Sequence, residues 1–338
     1  MSIAAADMDF MAFVEWSQRA RHATPNVGAY AETRIAKAFS PLRPKVVLAG
    51  DGATIHRCDL ARAWCALRGV PQLSRRALVC VGVRHALSLI MANLARIGRR
   101  IALPGDVYPV YWRLAADAGV NAVRTETFPS FEPGVIFSTA RRAHASHVLL
   151  PFPLKLQGRA WTRSEVAHAR AWLSEQDDRR LLLDGVYSFG KALPGELTEL
   201  LDTDRVYYLD SLSKGWLHEQ IFGTAIVPEQ DFAGYRDIFR AASPSQESLR
   251  LANTLLGSFP AFPSRLVSEI DGRREALAQK LRATGLLVQC AANGYLLAVQ
   301  GDARELLERH AVLTIPASAF GAAGCRWSLA SALPSEPM

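Results

Sequence analysis

Between Ala77 and Val227 short apolar runs alternate with amphipathic stretches, an order that few architectures accept. Ala77–Val81, Ile101–Leu103, His147–Leu150, Leu181–Leu183 and Val206–Leu209 are each too short for a stable helix. Their consecutive apolar positions predict strands covered on both faces. Leu87–Arg96 and Trp112–Ala118 read as helices, and Thr162 with Glu165 forms a capping-box pattern that opens another. Strands alternating with helices predict a mostly parallel sheet covered on both faces. In such a sheet the carboxyl ends of the strands carry the ligand-binding groups.

Two of those ends stand out. Val206–Leu209 runs into Asp210-Ser211-Leu212-Ser213-Lys214. The chain holds six lysines among 39 basic residues, so its charge is supplied by arginine and a lysine at a strand mouth needs a reason. A primary amine forms a Schiff base with an aldehyde, and a guanidinium does not. Upstream, Leu181–Leu183 ends in Asp184-Gly185-Val186-Tyr187. Taken singly, Lys214 reads as a surface lysine in a loop, and Asp184 as the cap of the next turn. A third end, Ala77–Val81, meets Gly82-Val83-Arg84 at a helix start. Backbone N–H groups there point outward and favour an anion such as phosphate.

In this order, Asp-x-x-Tyr followed by Ser-x-Ser-Lys resembles the fold-type I, pyridoxal-phosphate-dependent aminotransferases, the class of the aspartate and histidinol-phosphate enzymes. The resemblance spans roughly residues 45 to 330 and implies that fold: a large cofactor domain plus a smaller α/β domain. It implies pyridoxal 5′-phosphate held as an imine on Lys214, with Asp184 at the pyridinium nitrogen and Tyr187 at the ring hydroxyl. A carboxylate there keeps the ring protonated and able to accept electrons from the substrate α-carbon. Tyr108, in Tyr108-Pro109-Val110-Tyr111, takes the place of the aromatic ring that stacks on the pyridine. Gly82, Val83 and Arg84 fall on the phosphate turn. Arg326, in Cys325-Arg326-Trp327-Ser328, falls on the arginine that clamps the α-carboxylate. The substrate implied is an α-amino acid, the assembly a homodimer and the commonest reaction transamination.

The chain departs from that pattern in four places. Val83 replaces the usual hydroxyl residue of the phosphate turn. No tyrosine precedes the helix with Leu60, Ala63, Trp64 and Leu67. Aligned on Gly158, Lys155 replaces the asparagine that bonds the ring hydroxyl. An ammonium there would hold the phenolate or act as acid or base, or the side chain turns to solvent. Eight residues after Lys214, Phe222 stands where relatives have a phosphate-binding arginine. Ser211, Ser213, His218 and Gln220 are the available substitutes. These departures keep other outcomes open: elimination, replacement, cyclisation or oxidation in specialised metabolism, or a non-catalytic binding module that kept the fold.

A chain of 338 residues accommodates a large domain over residues 45–240 and a smaller one from 1–44 with 241–338. Residues 1 to about 40 are helix-prone until Thr24–Gly28, and Gly50-Asp51-Gly52 reads as a turn. Ser243-Pro244-Ser245-Gln246 predicts a helix start capped by Ser243 with Pro244 first. A long helix is expected near Ser264–Thr284, strands near Gly285–Gln289 and Tyr295–Gln300, and a helix near Ala303–Arg309. The net charge of +7 comes from arginines spread along the chain, without a basic run interleaved with aromatics, which argues against nucleic acid. No apolar run has the length of a membrane span, and the acidic N-terminus is unlike a signal peptide. Cys58, Cys65, Cys80, Cys290 and Cys325 are scattered, which argues for reduced thiols in a cytoplasmic protein and against a metal site.

Overall fold

The computed structural model describes residues 8–23, 28–29, 31–48, 54–107, 109–289, 292–322 and 324–334. Tyr108, Cys290, Thr24–Val27 and the Gly50-Asp51-Gly52 turn lie outside them. The chain begins with α1 (Phe10–Ala23), β1 (Gly28–Ala29), α2 (Ile35–Ala38) and α3 (Arg57–Leu67). The alternating part follows: β2 (Ala77–Cys80), α4 (Val83–Arg96), β3 (Arg100–Pro104), α5 (Val110–Ala118), β4 (Asn121–Thr125), α6 (Pro133–Arg142), β5 (His147–Pro151), α7 (Arg163–Ser174), β6 (Arg180–Asp184), α8 (Gly195–Leu201), β7 (Val206–Ser211), α9 (Leu212–Gly215) and β8 (Gly223–Ile226). Then come α10 (Glu229–Ala241), α11 (Gln246–Ser258), α12 (Phe262–Ala283), β9 (Leu296–Gln300), α13 (Ala303–His310), β10 (Val312–Leu313), β11 (Ile315–Pro316) and β12 (Trp327–Ser331).

The expected sheet is present. Its seven strands run β2-β8-β7-β6-β5-β3-β4. β3 to β7 are parallel, and β8 lies antiparallel between β7 and β2. The Leu181-Leu182-Leu183 run shows why both faces are covered. Leu181 and Leu183 pack beneath α6, α7 and α8, whereas Leu182 packs with α4 and α5. Period two then places Asp184 on the α5 face, at the end of the strand.

A second core joins the two ends of the chain. β9, β11 and β12 form an antiparallel sheet, and β1 pairs with β10 in register Gly28↔Val312. Phe13 of α1 packs into the same cluster as Leu277 of α12, Leu297 of β9 and Leu329 of β12.

Two expectations need correction. The strand near Gly285–Gln289 is reduced to a single bridge, Val288↔Val299, and Leu287 is exposed, so too little of that segment is covered to sustain a ladder. α11 is capped by Ser245, whose Oγ accepts the N–H of Ser248, so Pro244 precedes the helix instead of opening it. β4 and the helix α6 that follows it, which no pattern in the sequence marks, complete the sheet edge; β4 alternates too weakly to announce itself, with Asn121 and Arg124 exposed.

Candidate active site

The carboxyl ends of β5, β6 and β7 bring three ionisable side chains together. Asp184 ends β6 and is buried. Its Oδ2 accepts a hydrogen bond from the Tyr111 hydroxyl at 2.5 Å, and its Oδ1 accepts the N–H of Val186 at 3.0 Å. Burial pushes its carboxyl above the usual range, opposed by Tyr111, the Val186 N–H and the charges of Lys155 and Lys214. Lys214 sits in α9, the single turn that follows β7, with Nζ 5.8 Å from the centre of the Tyr187 ring. Burial holds its amine below the ordinary lysine value; Glu219 and Asp184 pull it up and Arg84 pushes it down.

Lys155 lies in the loop after β5. Its Nζ is 5.0 Å from the Tyr187 ring and 4.6 Å from the ring of Phe320, so both lysine amines sit against the same tyrosine. Burial, then the neighbouring Lys214 charge, pushes the Lys155 amine down to about 7, with Asp184 opposing and Arg84 adding to the fall. An aromatic face attracts a cation, which offsets part of that cost. The Tyr187 hydroxyl lies 3.1 Å from that of Tyr295, which donates to Thr33 O at 2.9 Å.

At β2, Gly82 caps α4, and a Cβ at Gly82 would meet nothing within 4 Å. The space on the Cβ side of Gly82, at the start of α4, is therefore clear. His85 Nδ1 accepts the N–H of Val81 at 3.2 Å, which makes it a junction residue. Ser211 Oγ lies 2.8 Å from Ser213 Oγ, beside the same turn. Gly223 holds these pieces close: a Cβ there would stand 2.7 Å from Asp210 O and 2.8 Å from Gly82 Cα.

The expected residues do not all converge. Asp184, Tyr187, Lys214 and Lys155 do. Arg326 does not join them: its side chain is 79% exposed, and its Nη2 lies 3.2 Å from Glu305 Oε2 of α13. Phe222 is buried in an apolar cluster with Trp64 and Trp216, its ring 5.7 Å from that of Trp64. His218 Nε2 lies 3.1 Å from Pro44 O, and Gln220 is exposed. Sequence reasoning missed Tyr111, Tyr295 and Phe320 as neighbours of the site. For Tyr111 a signal existed, because it shares the Tyr108-Pro109-Val110-Tyr111 stretch and falls on the buried face of α5. Tyr295 and Phe320 reach the site from the second core, and local spacing carries no trace of that.

No protein-family model matches this chain, and no curated protein matches it. Solved structures do. An aspartate aminotransferase from Rhizobium meliloti is 16% identical, with a TM-score of 0.75, over 99% of this chain and 93% of that one. A double mutant of the Thermus thermophilus aspartate aminotransferase is 17% identical, with a TM-score of 0.71, over 96% and 92%. An Escherichia coli protein described as having a methionine aminotransferase function is 16% identical, with a TM-score of 0.71, over 98% and 95%. The chain has the fold of the pyridoxal-phosphate-dependent class I aminotransferases along nearly its whole length.

Proposed function

We propose that this chain is a pyridoxal 5′-phosphate-dependent enzyme acting on an α-amino acid, and that amino-group transfer is its reaction. The observation that carries the reading is a buried carboxylate and a depressed amine at neighbouring strand ends, Asp184 on β6 and Lys214 after β7. The donor set fits the cofactor. Lys214 would bind its aldehyde carbon, Asp184 its ring nitrogen, and Tyr187 with Lys155 its ring oxygen. Ser211, Ser213 and the backbone N–H groups of Gly82, Val83 and Arg84 would take the phosphate, and Tyr108 would stack on the ring. Bound there, the cofactor supplies an electron sink for the substrate α-carbon.

The chain's own groups do the rest. Tyr111 and the Val186 N–H hold the Asp184 carboxylate aimed and fixed. A depressed amine is neutral in a larger share near pH 7, so Lys214 Nζ takes and returns the α-carbon proton. Arg326 would grip the substrate carboxylate on leaving Glu305. Arg326→Ala should then raise KM far more than it lowers kcat, and Glu305→Ala should lower KM. A homodimer and a cytoplasmic location complete the reading, and sedimentation showing monomer alone at high concentration would count against the dimer.

The decisive experiment is borohydride reduction of the protein loaded with cofactor, followed by peptide mapping. Cofactor fixed on the Lys214 peptide supports the assignment; a colourless protein that gains no visible absorption sinks it and favours a binding module. Lys155 against the same ring as Lys214 favours a second reading, in which a second acid diverts the substrate to elimination, replacement, cyclisation or oxidation. Mass analysis of products from a panel of amino acids, with and without 2-oxo acids, separates the two. Turnover that never leaves the amino group on the cofactor would exclude transamination.

A further inference from the structure

We propose that Arg68 is a positioning residue, its buried guanidinium tying together the two strand exits that carry Asp184 and Lys214; the inference rests on the roles assigned to that pair above. Arg68 follows α3, and its side chain is 1% exposed. Its Nη2 lies 2.7 Å from Asp210 Oδ2, 2.9 Å from the Tyr208 hydroxyl and 2.6 Å from Ser188 Oγ. Tyr208 and Asp210 belong to β7, whereas Ser188 belongs to the turn that leaves β6.

Each contact continues toward a site residue. Asp210 Oδ1 accepts the N–H of Ser211 at 2.8 Å, and Ser211 pairs with Ser213, the residue before Lys214. Ser188 Oγ donates to Gly185 O at 2.5 Å, the residue after Asp184. One guanidinium nitrogen therefore reaches both exits. The exits also interlock sterically. A Cβ at Gly185 would strike the Tyr208 ring, and a Cβ at Gly215 would stand 2.6 Å from Phe189 O.

Stability alone does not account for this arrangement. Burying an ion pair costs desolvation, and apolar side chains of the same volume commonly hold a fold as well or better. Arg68 Nε and Nη1 have no hydrogen-bond partner among the described residues, so the pair is not even fully satisfied. Apolar groups, however, give no direction. An acid and an amine on separate strands work together only while their separation is held.

The test follows the Lys214 amine in cofactor-free protein. Competitive acylation across a pH range, read by mass on the Lys214 peptide, yields its titration midpoint. In the double variant Arg68→Met/Asp210→Asn the charge pair is gone, and the amide oxygen introduced in place of the carboxylate can still accept the Ser211 N–H. Its midpoint is expected to rise by about half a unit or more, because water entering between the exits relieves the burial that depresses the amine. Ser188→Ala, which cuts the tie to the β6 exit alone, is expected to shift it the same way by less. A folded double variant with an unmoved midpoint would make Arg68 purely structural and overturn the proposal, whatever its melting temperature. Should the double variant not fold, Ser188→Ala decides by the same criterion. No bound cofactor is needed, so a chain that never takes up pyridoxal phosphate would sink the proposed function and leave this outcome readable.

Discussion

Lys155 shows how much one side chain in this site depends on its surroundings. Its amine is pushed down to about 7 while an unfolded lysine keeps its ordinary value. The folded chain therefore binds that proton less readily than the unfolded one, and the charged amine costs stability below about pH 7. The cost fades as pH rises toward the ordinary lysine range. Lys155→Met should melt several degrees above the parent near pH 6, with the gap closing by about pH 10. Equal melting curves at both pH values would mean that the amine is hydrated. The cofactor gives an independent readout. A second ammonium beside the lysine–cofactor link disfavours its protonation, so Lys155→Asn should raise the midpoint of the visible-absorption titration. An unchanged midpoint and product spectrum would leave Lys155 no role at the ring.

Among the elements, the stretch between α9 and β8 carries Phe222 where the resemblance implies a phosphate-binding arginine. Phe222 packs on Trp64 and Trp216, so this position belongs to the core beneath the site. Phe222→Arg should not restore a phosphate grip. It would bury a cation without a partner and cost about 3 kcal/mol or more, read by denaturant melting. A variant of parental stability that binds cofactor more tightly would refute that view. α7 offers a milder test. Thr162 Oγ1 accepts the N–H of Glu165 at 3.3 Å, and the Glu165 carboxylate accepts the Thr162 N–H at 2.6 Å. Thr162→Ala should cost about 1 kcal/mol and leave the site untouched.

At the scale of the whole molecule, the two chain ends close one core. Phe13 is 3% exposed, and its ring lies 6.0 Å from Phe10 and 6.4 Å from Trp16. Phe10 in turn stands 6.4 Å from Phe320, whose ring centre is 4.6 Å from Lys155 Nζ. The N-terminal helix therefore supports a wall of the candidate site. Phe13→Ala should cost about 3–5 kcal/mol in unfolding and also loosen cofactor binding, since Phe10, which stands against Phe320, loses its own support. A stability loss with unchanged cofactor affinity would separate the helix from the site. No helix among the described residues is long and apolar enough to cross a membrane.

The parallel sheet was legible in the chain because strands buried on both faces must be apolar at consecutive positions, as Leu181-Leu182-Leu183 and Val206–Leu209 are. The grouping of Asp184, Tyr187 and Lys214 came from the resemblance that Asp-x-x-Tyr and Ser-x-Ser-Lys carry; the apolar runs marked only the strand ends on which they lie, and the pairing of β6 with β7 sets those ends side by side. Partners drawn from distant segments were not legible. Tyr295 and Phe320 approach from the second core, and Arg68 joins two exits from a helix more than a hundred residues upstream, with separations of 120 to Ser188 and 140 to Tyr208. The exposed placement of Arg326 and the burial of Phe222 belong to the same class. Periodicity reports which face of its own element a residue occupies; what meets that face is decided when the elements pack.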